Sequence, residues 1–371
     1  MKILLVTSIF PPEIGGPATY SYQLAESLSK KHKVLVITFS KKPDKRSNIP
    51  TCSVSQKGNS LIRQWRLFKR IVFLRNKFEI IFSQDALVVG LACILAGRIL
   101  RKPVVVKFVG DIVWESSDRD SDSDRELTLE GFYKNKRLNF SDQVKFQIQR
   151  WVLKKANKII VPSKYLKDFI VKYYSIFSDN IRVVHNGVKI LPIKEKPKKN
   201  RLITVGRLVS WKNIDQIIKA VSEINKKFEY RIVGSGPEFG KLKELVQRTD
   251  LCRKIRFLGK LSNKRTIDEI AKSKIFVLNS AYEGLPHVLL EAASVKTAIV
   301  APKLPGIVEI FSKEVVYFKP GNRKELKRAI EELLFDDKKR QGLAEGAYKK
   351  VRSEFSWEKT YKKTEKVLQT F

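Results

Sequence analysis

The sequence predicts an α/β fold in two lobes, each a parallel sheet wound with helices. Three observations carry that prediction. First, short β-branched apolar runs alternate with helical patterns along all 371 residues. Such continuously apolar strands are buried on both faces, and strand–helix alternation with right-handed crossovers gives parallel sheets. Second, the rhythm breaks once, over 190–201, where Pro192, Pro197 and a lysine run carry no period. Third, the opening of strand, glycine loop and helix occurs twice, at Gly15-Gly16 and again at Gly206.

In order, the first lobe reads as strands at 3–7, 34–38, 80–83, 104–108, 159–162 and 182–185. The second reads as strands at 202–205, 230–233, 255–258, 275–279, 298–301 and 315–318. Tyr20, Leu24 and Leu28 stripe one helix, and Ile214, Ile217, Ile218 and Val221 stripe another. Asn213 with Gln216, and Asn322 with Glu325, read as capping boxes. The acidic stretch 118–131 reads as an exposed loop. The expected organisation is a Rossmann-like lobe over 1–189, a linker over 190–201, a second Rossmann-like lobe over 202–354, and an amphipathic tail helix over 355–371. Two such lobes leave a cleft between the carboxyl ends of their sheets, where ligands of open α/β sheets bind.

Composition narrows the partners. The formal net charge of +36 attracts anions, whether phosphate ligands, nucleic acid or acidic lipid, although a lysine-rich bias explains it equally well. The three cysteines match no metal spacing and suit a reducing compartment. The N-terminus reads as a strand and not as a signal peptide, and the longest apolar stretch, 86–97, is too short to span a bilayer. The expectation is a cytoplasmic protein, soluble or peripheral at the inner face of a membrane.

Three segments can carry chemistry. In Ser280-Ala281-Tyr282-Glu283-Gly284-Leu285-Pro286-His287-Val288-Leu289-Leu290-Glu291, a strand ends and a helix starts near Pro286. Glu283 then sits at the helix mouth and Glu291 inside the helix. The N–H groups of Gly284, Leu285 and His287 form an anion site between them. Two carboxylates flanking a phosphate site suit hydroxyl-rich groups, while dipole stabilisation and a solvated face are the plain structural alternative. In Gly206-Arg207-Leu208-Val209-Ser210-Trp211-Lys212, two cations flank a loop at a strand's carboxyl end and can hold a diphosphate. Gly15-Gly16 allows close approach to a phosphate or sugar, or is a bare turn. It is not the G-x-G-x-x-G of dinucleotide folds.

Together these segments resemble the retaining glycosyltransferases of GT-B fold, family four, over nearly the whole chain. The family's E-x7-E motif matches Glu283 to Glu291, and its R-x4-K motif matches Arg207 to Lys212. Gly15-Gly16, Ser235-Gly236-Pro237, Leu258-Gly259, Pro305-Gly306-Ile307-Val308-Glu309 and the tail at Phe355-Ser356-Trp357 also resemble family segments. The resemblance implies transfer of a hexose from a nucleoside-diphosphate sugar to a glycan, lipid-linked or small-molecule acceptor, as in cell-envelope polysaccharide synthesis. It implies no cofactor and no metal, the sugar nucleotide being a co-substrate. Arg207 and Lys212 would hold the diphosphate, Glu283 the donor sugar and Glu291 the ribose. Gly206, Gly284 and Leu285 would line the site, with base contacts near Gly259 and Lys260. Many family members carry a first-lobe histidine near the acceptor. Here that region reads Lys107-Phe108-Val109-Gly110-Asp111, so Asp111 is the candidate for acceptor positioning or proton acceptance, weighed against a helix cap.

Two further features invite chemistry. Asp120-Ser121-Asp122 mimics a metal-binding D-x-D but lies in the acidic loop, so it reads as solvated. The segment 63–75 is a basic helix with large apolar residues, able to lie on an anionic membrane or to pack Phe68, Ile71, Val72 and Leu74 inward. The competing readings are a sugar-nucleotide epimerase of the same fold, or a non-enzymatic anion or nucleic-acid binder. No nucleic-acid motif is recognisable, so no nucleic-acid partner is expected.

Overall fold

The computed structural model describes residues 1–40, 48–117, 128–135, 138–190, 197–249 and 251–371. The chain forms two compact units, one of Met1–Ser117, Lys136–His185 and Thr360–Phe371, the other of Asp118–Asn135 and Asn186–Lys359.

The first unit is built on β1 (Lys2–Thr7), β2 (Lys33–Thr38), β3 (Thr51–Ser53), β4 (Ile80–Ser83), β5 (Val104–Lys107), β6 (Lys158–Val161) and β7 (Ile181–Val183). They form one parallel sheet in the order β3-β2-β1-β4-β5-β6-β7. β1 is central because its run Ile3-Leu4-Leu5-Val6 can be buried on both faces, and every one of these side chains is buried. The helices are α1 (Gly16–Ser29), α2 (Ser60–Phe73), α3 (Gly90–Leu100), α4 (Ile112–Ser116), α5 (Leu129–Asn135), α6 (Phe140–Lys155) and α7 (Lys164–Tyr174). α5 belongs to the second unit. Right-handed crossovers put α1 on one face and α2 and α3 on the other. Glu365 of the tail accepts from His32, just after α1, at 2.9 Å.

The second unit is built on β8 (Lys199–Val205), β9 (Glu229–Val233), β10 (Ile255–Gly259), β11 (Ser273–Val277), β12 (Ala298–Pro302) and β13 (Val316–Phe318), ordered β10-β9-β8-β11-β12-β13 and parallel throughout. Its helices are α8 (Ile214–Ser222), α9 (Phe239–Arg248), α10 (Asn263–Ala271), α11 (His287–Ser294), α12 (Pro305–Val308), α13 (Arg323–Phe335) and α14 (Asp337–Glu354). The tail helix α15 (Trp357–Leu368) belongs to the first unit from Thr360 onward. Successive residues of β8 feed opposite cores. Leu202 packs with Ile217, Val221 and Ile330, while Ile203 packs with Leu289, Ile307 and Phe311. In each sheet the strand order reverses once, beside β1 and beside β8. Such a reversal splays the flanking loops and opens a crevice at the strands' carboxyl ends.

The structure departs from the sequence expectations in four places. β8 starts at Lys199, inside the expected linker. Arg201 is buried there because Glu229 and Glu269 pair with it at 2.9 and 3.1 Å, so a charged residue continues a strand. Asn213 precedes α8 in a left-handed conformation (φ 46°) and its side chain makes no capping bond, so no capping box forms with Gln216. Asn322 does cap α13, Glu325 N–H donating to its Oδ1 at 3.1 Å, but the box is incomplete, because Asn322 N–H donates to Lys319 O and not to Glu325. The three-residue edge strand β3 had no visible period. Residues 118–127, with Asp120-Ser121-Asp122, and 191–196, with Pro192, lie outside the described residues; 129–131, expected as loop, are helical in α5.

Candidate functional site

In the second unit the loops leaving β8 and β11 flank the strand-order reversal. The β8 loop is pinned to its neighbour by Gly206 N–H donating to Val233 O and Leu208 N–H donating to Ser235 O, both at 3.0 Å. That close approach needs glycine on the facing side. A Cβ on Gly234, at φ +142°, would lie 1.8 Å from Gly206 O, and one on Gly236 would lie 2.2 Å from Leu208 O. Ser210–Lys212 then makes a single 3-10 turn, and Asn213, in its left-handed conformation, turns the chain into α8.

Two hydrogen bonds lock this turn to the β11 loop. Ala281 N–H donates to Trp211 O at 2.8 Å, and Asn279 Nδ2 donates to Asn213 O at 3.1 Å. The consequence is a contact between residues far apart in sequence: Lys212 Nζ donates to Glu283 Oε1 at 2.5 Å, and Ser280 Oγ donates to the same oxygen at 2.6 Å. The pair is half-buried, so its charge-assisted bond is stronger than a surface ion pair. Arg207 stays exposed, its guanidinium 5.8 Å from the Trp211 ring, and makes no ion pair among the described residues. The site thus holds one committed cation and one uncommitted fork.

The Glu283 loop is backed by α12. A Cβ on Gly306 would lie 2.3 Å from Glu283 O and 2.6 Å from Gly284 O, so this position admits only glycine without moving the loop. α11 begins at His287, with Pro286 as a cap that supplies no side-chain bond. Among the described residues the N–H groups of Gly284 and Leu285 donate no hydrogen bond, although both residues are buried. Glu291, on α11, is buried and not solvated. Its Oε1 accepts from Asn263 Nδ2 at 2.8 Å and lies 3.5 Å from His287 Nδ1. His287 Nε2 lies 3.0 Å from Gly187 O, so that ring braces the helix entry. Gly259 ends β10 at φ +65° and its carbonyl accepts from Gly234 N–H at 2.8 Å, while Lys260 is exposed beside it.

Arg207, Lys212, Glu283, Gly206, Gly284 and Leu285 are therefore all presented on the two loops that flank one reversal. Sequence reasoning missed Ser280, Asn263 and Gly234. Ser280 could have been read as a polar neighbour on the Glu283 loop. Asn263 could not, because it reaches Glu291 from a different helix.

In the first unit the corresponding residues behave differently. Gly15 precedes α1 and Gly16 opens it, and a Cβ on Gly16 would meet nothing within 4 Å. Asp111, the candidate for acceptor positioning or proton acceptance, makes the helix cap weighed against that role. It is fully buried and caps α4, with Oδ1 accepting from Trp114 N–H at 3.0 Å and Oδ2 accepting from Tyr174 OH at 2.7 Å. Gln149 Nε2 donates to the same Tyr174 oxygen at 2.6 Å. Each carboxylate oxygen thus accepts a hydrogen bond from within the unit. Lys107 is also buried, its ammonium 3.1 Å from the centre of the Tyr20 ring, and burial pushes its pKa well below the usual lysine range.

Among the described residues, no group of three or more His, Cys, Asp and Glu side chains could hold a metal ion, and no helix is long and apolar enough to cross a membrane.

Comparison with known proteins agrees with this architecture. Residues 14–190 match the family model described as Glycosyltransferase Family 4, and residues 189–350 match that of glycosyl transferases group 1. An uncharacterized glycosyltransferase of Methanocaldococcus jannaschii is 30% identical over 261 residues, which is 66% of this chain and 65% of that protein. A human phosphatidylinositol N-acetylglucosaminyltransferase polypeptide is 24% identical, over 99% of this chain and 75% of that one. Anabaena HepE, whose crystal structure contains UDP and glucose, shares the fold with a TM-score of 0.83 at 18% identity, over 100% of both chains. The two family models follow one another along this chain just as its two parallel-sheet units do, and the protein belongs to the group 1, family 4 glycosyltransferases and has the GT-B fold.

Proposed function

We propose that this glycosyltransferase moves a hexose from a nucleoside-diphosphate sugar to a glycan, lipid-linked or small-molecule acceptor, with retention and without a metal ion. The observation that carries this reading is the Lys212–Glu283 contact beside the exposed Arg207 at the strand-order reversal of the second sheet. Departure of a nucleoside diphosphate builds negative charge on a phosphate oxygen. A guanidinium fork, an ammonium and unpaired N–H groups at Gly284 and Leu285 are preorganised to stabilise that charge. Glu283, oriented by Ser280, accepts hydrogen bonds from hydroxyls of the donor sugar, and Glu291, oriented by Asn263, accepts from the ribose. The base lies against the backbone near Gly259 and Lys260. That HepE was solved with UDP and glucose, and that the human relative is named for N-acetylglucosamine transfer, supports a sugar-nucleotide donor.

Glu283 is held through Oε1 by Lys212 and Ser280, and Glu291 through Oε1 by Asn263, and we assign both to hydroxyl binding rather than to covalent catalysis. Attack on the face the leaving phosphate vacates is the route we propose for retention. The first unit selects the acceptor, with Gly15 and Gly16 at its β1 loop. The enzyme works in the cytoplasm, at the inner face of the membrane when the acceptor is lipid-linked. The test is product analysis by NMR, using UDP-, GDP- and ADP-sugars with an acceptor panel, in excess chelator. Transfer with the donor's anomeric configuration kept is the expected result. An inverted product, transfer that returns only on adding manganese, or donor epimerisation without acceptor would each overturn part of the reading.

A further inference from the structure

α2 and α3 lie on the same face of the first sheet, and Gln64 of α2 joins them. Its amide donates to the carbonyl oxygens of Leu87 and Val88 and accepts from Ala92 N–H. Only Leu67 and Ile71 of α2 are buried in the unit. On its outer side Leu61 is 77% exposed, Phe73 72% and Trp65 55%. Trp65 stacks on Phe68, with ring centroids 5.5 Å apart. α3 adds exposed Leu95 and Ile99, the latter 65% exposed, with Val88 just before its start. Exposed apolar side chains that gather on neighbouring helices and are bordered by charge mark an interaction surface, where single ones do not.

The surrounding charge is of one sign. By helical spacing Lys69 falls between Trp65 and Phe73 on α2, Arg66, Arg70 and Arg63 follow on the side of Phe73, and Arg98 and Arg101 close α3. Between 57 and 110 the acidic residues are Glu79 and Asp85 alone. Glu79 accepts from Lys2 N–H, and Asp85 from the Val88 and Val89 N–H groups at the start of α3. Among the described residues no cation of α2 makes an ion pair. Lys69 instead lies 4.9 Å from the Trp65 ring, and Arg70 lies 5.6 Å from Phe73. Lys and Arg beside exposed Trp, Phe and Leu on one helix is the composition of helices that lie in a lipid interface.

We infer that α2 and α3 form a docking face for a bilayer rich in anionic lipid, which deepens the lipid-linked acceptor reading and rests on it for its purpose, not its evidence. The apolar stripe enters the headgroup boundary, and the cations meet lipid phosphates. A second copy of this chain is a poorer occupant, because pairing the face with itself would oppose two cationic rims. The experiment is flotation of the full chain with phosphatidylcholine vesicles, with and without phosphatidylglycerol, at low and physiological salt. Binding is expected only with phosphatidylglycerol. It should weaken at least tenfold in Leu61→Ser with Phe73→Ser, and again in Arg63→Gln with Arg66→Gln and Lys69→Gln. These side chains are at or near the surface, and an unchanged melting temperature and donor-induced thermal shift will show that fold and donor site survive. Absence of binding to anionic vesicles, equal binding to neutral ones, or full binding by the substituted proteins would overturn the inference. So would a dimer in solution that the Leu61→Ser with Phe73→Ser protein loses. Vesicle binding by a protein that recognises no sugar nucleotide would instead sink the proposed function and leave this face standing.

Discussion

The carboxyl edges of the two sheets carry similar residue types and use them in opposite ways. At the second sheet, Lys212 and Glu283 are half-buried partners, Arg207 is exposed, and Glu291 is steadied by Asn263. At the first sheet, Lys107 and Asp111 are buried completely and turned onto Tyr20, Tyr174 and the α4 backbone. A charge at a strand's end is thus not a site by position alone. What distinguishes the two edges is whether the charged atoms still face outward after their local partners are satisfied.

The contrast can be broken by substitution. The largest effect is expected at Arg207→Ala and Glu283→Gln, each lowering kcat for sugar transfer by about 10²–10³-fold, as for other groups that meet charge developing in a transition state. Their melting temperatures should stay near that of the wild type. Asp111→Ala is expected to do the reverse. Losing a buried cap and leaving Tyr174 OH without its acceptor costs about 2–4 kcal/mol of stability, read from the urea midpoint. Activity of the folded fraction should persist. A catalytic loss without destabilisation would restore Asp111 as an acceptor-side base. Gly306→Ala sharpens the comparison from within the second unit. The added methyl must push the Glu283 loop, lowering stability by about 1–3 kcal/mol and transfer roughly 10–100-fold, since a shift of about 1 Å at reacting groups is enough for that loss. The smallest effect belongs to Asn263→Ala, which frees Glu291 and should weaken nucleotide binding by about 1 kcal/mol in calorimetry.

Most of the architecture was legible because a parallel sheet buried on both faces writes each strand as an unbroken apolar run, as in 3–7 and 298–301. β8 was misjudged at its start because Arg201 interrupts the apolar run, and the carboxylates that neutralise it come from Glu229 and Glu269, distant in sequence. The same limit applies to the site. Arg207, Lys212, Glu283 and Glu291 stand in recognisable spacings next to a glycine or a helix start. Their orientation depends on bonds such as Ala281 N–H to Trp211 O, which no single segment contains. Asp111 shows both sides of that limit. Its cap of Trp114 N–H, three residues on, could be weighed from the sequence, whereas Tyr174, 63 residues away, which takes the other carboxylate oxygen, could not.

The most direct measurement is donor binding. UDP-, GDP- and ADP-sugars should be titrated into the wild-type chain and into Arg207→Ala and Glu283→Gln, with thermal stabilisation and calorimetry as readouts. One nucleotide class should stabilise the wild type, and binding of its diphosphate should weaken at least tenfold in Arg207→Ala, with discrimination between sugars reduced in Glu283→Gln. Failure of every sugar nucleotide to bind, or equal binding by all three proteins, would contradict the assignment of the second unit's strand-end loops as the donor site.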